Sequence, residues 1–153
     1  MIINRAEKID LPTILTLQRV AFEEVAELLH NYDIPPLKET LTQIEEEFSK
    51  GIILKCTSDN HQIVGSIRGC YLPDTTTCYV GRLIVDPLFQ NRGIGTSLLA
   101  EIEKFFPSAT KFLLYTGEIT PNTAHLYTKV GYQTIHRKEM GGVMMLIMEK
   151  SID

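Results

Sequence analysis

A glycine-bearing turn between an apolar strand and a helix narrows the folds open to this chain more than any other feature. Tyr79-Val80-Gly81-Arg82-Leu83-Ile84-Val85 reads as a strand that ends at Asp86-Pro87. Gln90-Asn91-Arg92-Gly93-Ile94-Gly95 then leads into a helical stripe of Leu98, Leu99, Ile102, Phe105 and Phe106, which stops before Pro107. The apolar run Lys111-Phe112-Leu113-Leu114-Tyr115-Thr116 reads as a buried strand beside that crossover helix. Together the three pieces make a β-α-β unit whose turn has the physics of an anion site. Glycines let backbone approach a ligand closely, and the orphan N–H groups and positive end of the helix attract phosphate. Arg92 adds a charged fork. The pattern is neither the dinucleotide fingerprint nor the P-loop, because it has no third glycine at the required spacing and no Gly-Lys-Ser/Thr.

The remaining periodicities frame this unit. Ile2 and Ile3 suggest a short strand, and Asp10 with Pro12 just inside predicts a helix N-cap, followed by a core stripe of Ile14, Leu17, Ala21, Val25, Leu28 and Leu29. Asn31 to Pro36 predicts a loop, since paired prolines push the preceding residue out of helical geometry and remove two donors. A second helix is expected from about Lys38 to Lys50, with Leu41, Ile44 and Phe48 on one side and Gly51 as C-cap. Ile52–Thr57 and Gln62–Tyr71 around Asp59-Asn60-His61 predict a hairpin, and Thr76–Val85 the next strand. Thr120-Pro121 opens a helix through Ala124, Leu126, Tyr127 and Val130 to Gly131. Tyr132–Lys138 and Val143–Glu149 form a last hairpin across Gly141-Gly142.

Bulk properties set the class. A chain of 153 residues with 44% apolar and 22% charged residues suits one self-folding domain over residues 1–153. The formal charge of −4, with Lys and Arg dispersed, offers no source for counterion-release binding, so no nucleic-acid partner is expected. No ~18-residue apolar run exists, and the charged start does not resemble a signal peptide, so no membrane partner and a cytoplasmic location are expected. Cys56, Cys70 and Cys78 are odd in number and lack a C-x-x-C pair; His30, His61, His125 and His136 have no ligand spacing, and no metal is expected. Met140, Met144, Met145 and Met148 read as packing, with the lining of an apolar substrate pocket as the alternative.

Gln90-Asn91-Arg92-Gly93-Ile94-Gly95 fits the Q/R-x-x-G-x-G/A pattern of the GCN5-related N-acetyltransferase (GNAT) superfamily, and Leu83-Ile84-Val85-Asp86-Pro87 resembles its lead-in. Leu126-Tyr127-Thr128-Lys129-Val130-Gly131-Tyr132 resembles its second signature, and the expected order β-α-α-β-β-β-α-β-α-β-β is also the family's. The resemblance implies an α/β fold with a central, mostly antiparallel sheet of about seven strands, containing a splayed parallel pair and flanked by four helices. It implies acetyl-CoA as co-substrate and transfer of the acetyl group to a primary amine by direct attack on the thioester. The backbone of Leu83, Ile84 and Val85 would pair with the pantetheine arm, in a gap for which Gly81 could be the bulge. Gln90, Asn91, Arg92, Gly93, Ile94, Gly95 and Thr96 would hold the pyrophosphate.

By the same resemblance a backbone donor from the Leu83–Val85 strand would stabilise the oxyanion, and Tyr127 would protonate the departing thiolate. Relatives often carry a carboxylate base on the strand before the loop, but Thr77–Val85 contains none. Glu118 is a candidate substitute, and a water chain to bulk is another. Relatives also place an asparagine seven residues before the tyrosine; here that position is Thr120, while Asn122 lies five before, and either could contact the pantetheine. The acceptor cleft would be walled by the Tyr32–Pro36 loop, Arg68 or Arg82, and the Arg137–Gly142 hairpin. A small-molecule amine is the expected acceptor. A protein N-terminus or lysine, or a CoA-binding module without catalysis, are the alternatives, and a homodimer is left open.

Overall fold

The computed structural model describes residues 1–73 and 75–152. Seven strands, β1 (Ile2–Arg5), β2 (Ile52–Thr57), β3 (Ile63–Tyr71), β4 (Thr77–Val85), β5 (Lys111–Gly117), β6 (Gln133–Met140) and β7 (Val143–Ser151), form one sheet in the order β1-β2-β3-β4-β5-β7-β6. Every pairing is antiparallel except β4–β5. Four helices of useful length accompany it: α1 (Leu11–Leu29), α3 (Leu41–Lys50), α4 (Ile94–Lys104) and α5 (Pro121–Lys129), with a single turn, α2 (Pro35–Lys38), between the first two. This is the expected mixed sheet with its one parallel pair. No helix among the described residues is long and apolar enough to cross a membrane.

The prolines account for the first departure from expectation. Pro35 and Pro36 do not extend the loop; they start α2, because a fixed φ near −65° suits the first helical turn, where no N–H is needed. The chain breaks again at Glu39, and Thr40 opens α3 with a capping box, its hydroxyl accepting from Gln43 N at 3.2 Å while the Gln43 side chain accepts from Thr40 N at 2.9 Å. The predicted helix from Lys38 is therefore two pieces. Asp10 also departs: it precedes α1 but its carboxylate accepts instead from Glu7 N at 2.8 Å and Lys55 Nζ at 2.8 Å, tying the N-terminal turn to β2. Leu28 is exposed, so the α1 stripe buries its first half and Ala26 rather than its whole length.

Apolar residues fill both faces of the sheet. On one, α4 and α5 cover Leu54, Cys56, Ile67, Cys78, Val80, Phe112, Leu114 and Met148; on the other, α1 and α3 cover Ile53 and Ile84. Strand β4 changes face partway along. Cys78 and Val80 lie on the α4 side, as do Leu83 and Val85, so the alternation skips one residue between Val80 and Leu83. The β3–β4 register records the same slip: Ser66 pairs with Ile84 and Arg68 with Gly81. The extra residue is Arg82, whose φ of 50° is left-handed. The bulge thus sits one residue after the glycine expected to form it.

Parallel pairing of β4 with β5 ends at Tyr79–Leu113, although β4 runs on to Val85 and β5 to Gly117. Their far halves diverge. Glu103 in the last turn of α4 accepts from Lys150 Nζ at 2.9 Å and from Tyr132 Oη at 3.2 Å, tying that end of the helix to β7.

Candidate active site

The turn after β4 is shaped by a cap and two left-handed residues. Asp86 accepts from Leu88 N at 2.9 Å, forming a one-turn 3-10 helix, Pro87–Phe89. Asn91 (φ 62°) and Gly93 (φ 80°) then reverse the chain, and Gly93 becomes the N-cap of α4 with no side chain over the helix end. The N–H groups of the first α4 turn are left facing outward, as an anion requires. Gln90, Asn91, Arg92, Gly93 and Thr96 are exposed. Arg92 folds back, its guanidinium 4.9 Å from the Phe89 ring centre and its Nη2 3.5 Å from Leu88 O. Ile94 is buried, so it offers its backbone and not its side chain. A Cβ at Gly93 would meet open space, whereas one at Gly95 would lie 3.2 Å from Leu126 Cδ2 and 3.8 Å from Leu83 Cδ2. Gly95 therefore also lets α4 close on α5 and β4.

Four tyrosines form two edge-to-face pairs. Tyr79 on β4 meets Tyr115 on β5 edge to face at 5.6 Å, and Tyr127 on α5 meets Tyr132 at 6.0 Å. Tyr127 is buried; burial first and the nearby Tyr79 second push its phenol well above the ordinary value, so it stays a proton donor at neutral pH. Tyr79 is likewise raised, mainly by burial, against the lowering charge of Arg82.

Next to Tyr79 lies a cleft of about 210 Å³ lined by Glu39, Glu47, Arg68, Gly69, Cys70, Tyr79, Gly81 and Arg82. Its floor is a buried polar network drawn from α1, the α2–α3 break, β3 and β4. Glu39 Oε1 accepts from Arg68 Nη2 at 2.6 Å and Gln18 Nε2 at 3.0 Å; Glu39 Oε2 accepts from Arg68 Nη1 at 2.9 Å. Gln18 also donates to Pro36 O at 2.9 Å and accepts from Arg68 at 2.8 Å. Burial would raise the Glu39 carboxyl, but the Arg68 hydrogen bonds and charge, helped by Gln18 and Arg82, outweigh it and hold the group below its usual range. Glu39 is an ionised structural anion, already occupied.

The sequence candidates divide into three groups. Leu83, Ile84 and Val85, the 90–96 turn and Tyr127 are brought to one region, around the divergence of β4 and β5. Asn122 is exposed in the first turn of α5, and Thr120 turns its hydroxyl to Gly117 O at 2.7 Å rather than over the helix end. Glu118 stands apart: it is exposed, receives Arg137 through Nε at 2.9 Å and Nη2 at 2.8 Å, and does not line the cleft. Of the expected walls, Arg68 and Arg82 line the cleft, while the Tyr32–Pro36 loop contributes Pro36 O beneath it and the last hairpin does not line it.

Gln18 and Glu39 escaped the sequence reading. A usable signal existed for each. Gln18 sits among Ile14, Leu15 and Leu17 on a buried stripe, where a polar side chain must find partners. Glu39 stands alone between a proline-started turn and a capping box, where a helix break hands its side chain inward.

Three comparisons place these features among known proteins. The model of the acetyltransferase (GNAT) family matches residues 12–132. No curated protein matches the sequence. Among solved structures, the chain is similar to a PaiA N-acetyltransferase from Thermoplasma acidophilum in complex with coenzyme A, with a TM-score of 0.83 and 19% identity over 99% of this chain and 98% of that one. It is similar to a ribosomal-protein-alanine N-acetyltransferase from Brucella melitensis, with a TM-score of 0.78 and 17% identity over 99% and 100%. It is similar, too, to yncA from Salmonella typhimurium with its cofactor acetyl-CoA, with a TM-score of 0.77 and 16% identity over 100% and 94%.

Proposed function

Because the chain belongs to the acetyltransferase (GNAT) family, we propose that it transfers the acetyl group of acetyl-CoA to the primary amine of a small molecule. The observation that carries the small-molecule reading is the cleft beside the β4–β5 gap: at about 210 Å³ it suits a compact acceptor rather than an extended peptide. The open first turn of α4 supports pyrophosphate binding by Asn91, Gly93, Ile94, Gly95 and Thr96, with Gln90 and Arg92 at the mouth. Open space over Gly93 suits a phosphate where a side chain would block one. Strand β4, unpaired toward β5 beyond Tyr79, leaves backbone groups of Leu83 to Val85 for a pantetheine amide.

The new bond is C–N and the broken one C–S. An amine with a reference pKa near ~10 must first lose a proton. Glu39 is saturated and held ionised by Arg68, and Glu118 is tied to Arg137, so that proton leaves through solvent in the cleft rather than to either carboxylate. Tyr127, kept protonated by burial, gives its proton to the departing sulfur and recovers one from solvent. Burial disfavours a cysteine thiolate as acyl carrier: Cys70 in the cleft is raised, mainly by burial, and Cys78 is pushed up to about 12. That supports direct attack of the amine on the thioester.

Mixing the protein with acetyl-CoA and a panel of amines, while following free thiol, tests this. Thiol release with at least one small amine is expected; tight acetyl-CoA binding with no release for any amine would favour a binding module instead. Tyr127→Phe should lower kcat roughly 10²-fold with little change in acetyl-CoA affinity. A variant as fast as the parent would make Tyr127 a packing residue beside Tyr132.

A further inference from the structure

We infer that Arg82 forms an anion subsite in the cleft, so that the acceptor amine carries a carboxylate. The inference rests on the acyl-transfer reading and narrows its substrate class.

The argument begins with backbone. A non-glycine residue at φ 50° is disfavoured, and a bulge there would be served by glycine or asparagine. An arginine in that position needs a purpose for its side chain. Its Nε is buried and donates to no acceptor among the described residues. A buried charged donor without a partner is costly, and the cost is removed when a ligand supplies the acceptor. Glu39 does not fill that role: its Oε1 lies 3.9 Å from Arg82 Nε, beyond a hydrogen bond, and already accepts from Arg68 and Gln18.

Charge arithmetic agrees. The ionisable groups facing the cleft are Arg68, Arg82, Glu39, Glu47, Tyr79 and Cys70. Glu39 and Arg68 neutralise each other through paired bonds, Tyr79 and Cys70 are held protonated by burial, and Glu47 is exposed at the rim of α3. Arg82 is the cation left facing the interior. A polycationic amine would meet that charge in the interior, while Glu47, the cleft carboxylate that is not already bonded, lies out at the exposed rim. A planar carboxylate matches the guanidinium fork in both charge and geometry. The cleft adjoins Tyr79, where β4 and β5 part, so an acid held by Arg82 keeps its own amine beside the thioester path.

Matched pairs test the idea: leucine against isopentylamine, phenylalanine against phenethylamine, and lysine against cadaverine, each with saturating acetyl-CoA. The acid of each pair should have a kcat/KM about 10- to 100-fold higher, the worth of one charge-assisted pair. Arg82→Asn, which tolerates the left-handed bulge, should bring that preference down to roughly 3-fold or less while leaving the KM for acetyl-CoA unchanged. Should the asparagine variant fail to fold, Arg82→Gly serves, since glycine is free at that φ. Calorimetry reads the subsite without turnover: CoA-loaded protein should bind N-acetyl-leucine about 10-fold more tightly than N-isopentylacetamide, and the variant should bind them alike. Equal or better use of the amines without carboxylates, a preference that survives in the variant, or binding of neither probe would overturn the subsite. An Arg82-dependent preference in calorimetry with no thiol release for any amine would remove the transfer reading and leave the subsite standing.

Discussion

Gly93→Val is expected to weaken CoA binding by about 100-fold while the protein stays folded. The chain itself barely opposes the new side chain, since a Cβ at Gly93 meets nothing within 4 Å. What opposes it is the φ of 80°, which costs a β-branched residue roughly 1–3 kcal/mol, and the space it fills, which is where a phosphate would approach the first turn of α4. The two effects separate in measurement. Backbone strain lowers Tm, by roughly 2–12 °C for a domain of this size, whereas blocked approach appears only in a CoA titration. A variant that melts early and yet binds CoA with parental affinity would move the pyrophosphate away from this turn. Gly93→Asn sharpens the result: asparagine tolerates the left-handed conformation, so Tm should recover and affinity should not.

Glu39→Ala should produce the largest loss of stability, about 3–5 kcal/mol by denaturant titration, because Arg68 would be left buried without its carboxylate and Gln18 without one of its acceptors. Replacing both members, Glu39→Leu with Arg68→Leu, should recover most of that loss, since a buried ion pair and an apolar pair of similar volume are often near equal. The pH dependence has a definite sign. The Glu39 carboxyl is held below its usual value of 4.5 in the folded chain, so its stabilisation is complete above that value and is lost as pH falls through the folded pKa. The gap in stability between parent and Glu39→Gln should therefore be constant near neutrality and shrink below about pH 4.5. Asp10, where burial is outweighed by Lys55 and the Glu7 N–H, is also lowered and titrates in both proteins, so it cancels in that difference. A gap that widened in acid would mean that Arg68 does not control the carboxyl.

The β-α-β unit was legible because its period changes at points marked by Asp86-Pro87 and Pro107, and the glycine turn that opens α4 because its residues are consecutive. Prolines 35 and 36 misled because the same ring that breaks a helix interior starts one at its first turn. The bulge was placed at Gly81 because composition favours glycine, yet the slip falls on Arg82, a choice that only tertiary context could enforce. The Gln18–Glu39–Arg68–Arg82 network was hidden for a different reason. Its members come from α1, a helix break and two strands, and no local pattern joins residues so far apart in the chain. Single polar residues on apolar stripes were the trace it left.

The extra residue in β4 has a consequence for how such a chain can change over time. Upstream of Arg82, Tyr79 and Gly81 face the cleft and Cys78 and Val80 face α4; downstream the parity is reversed, so that Leu83 and Val85 face α4 and Ile84 the other side. One residue is the seam between a half whose odd-numbered residues meet the cleft and a half whose odd-numbered residues meet the α4 side. Substitutions at Tyr79 or Gly81 can reshape the cleft while Leu83 and Val85 keep their register. An insertion or deletion at the seam would disturb both halves together, turning every later side chain of the strand to the opposite face.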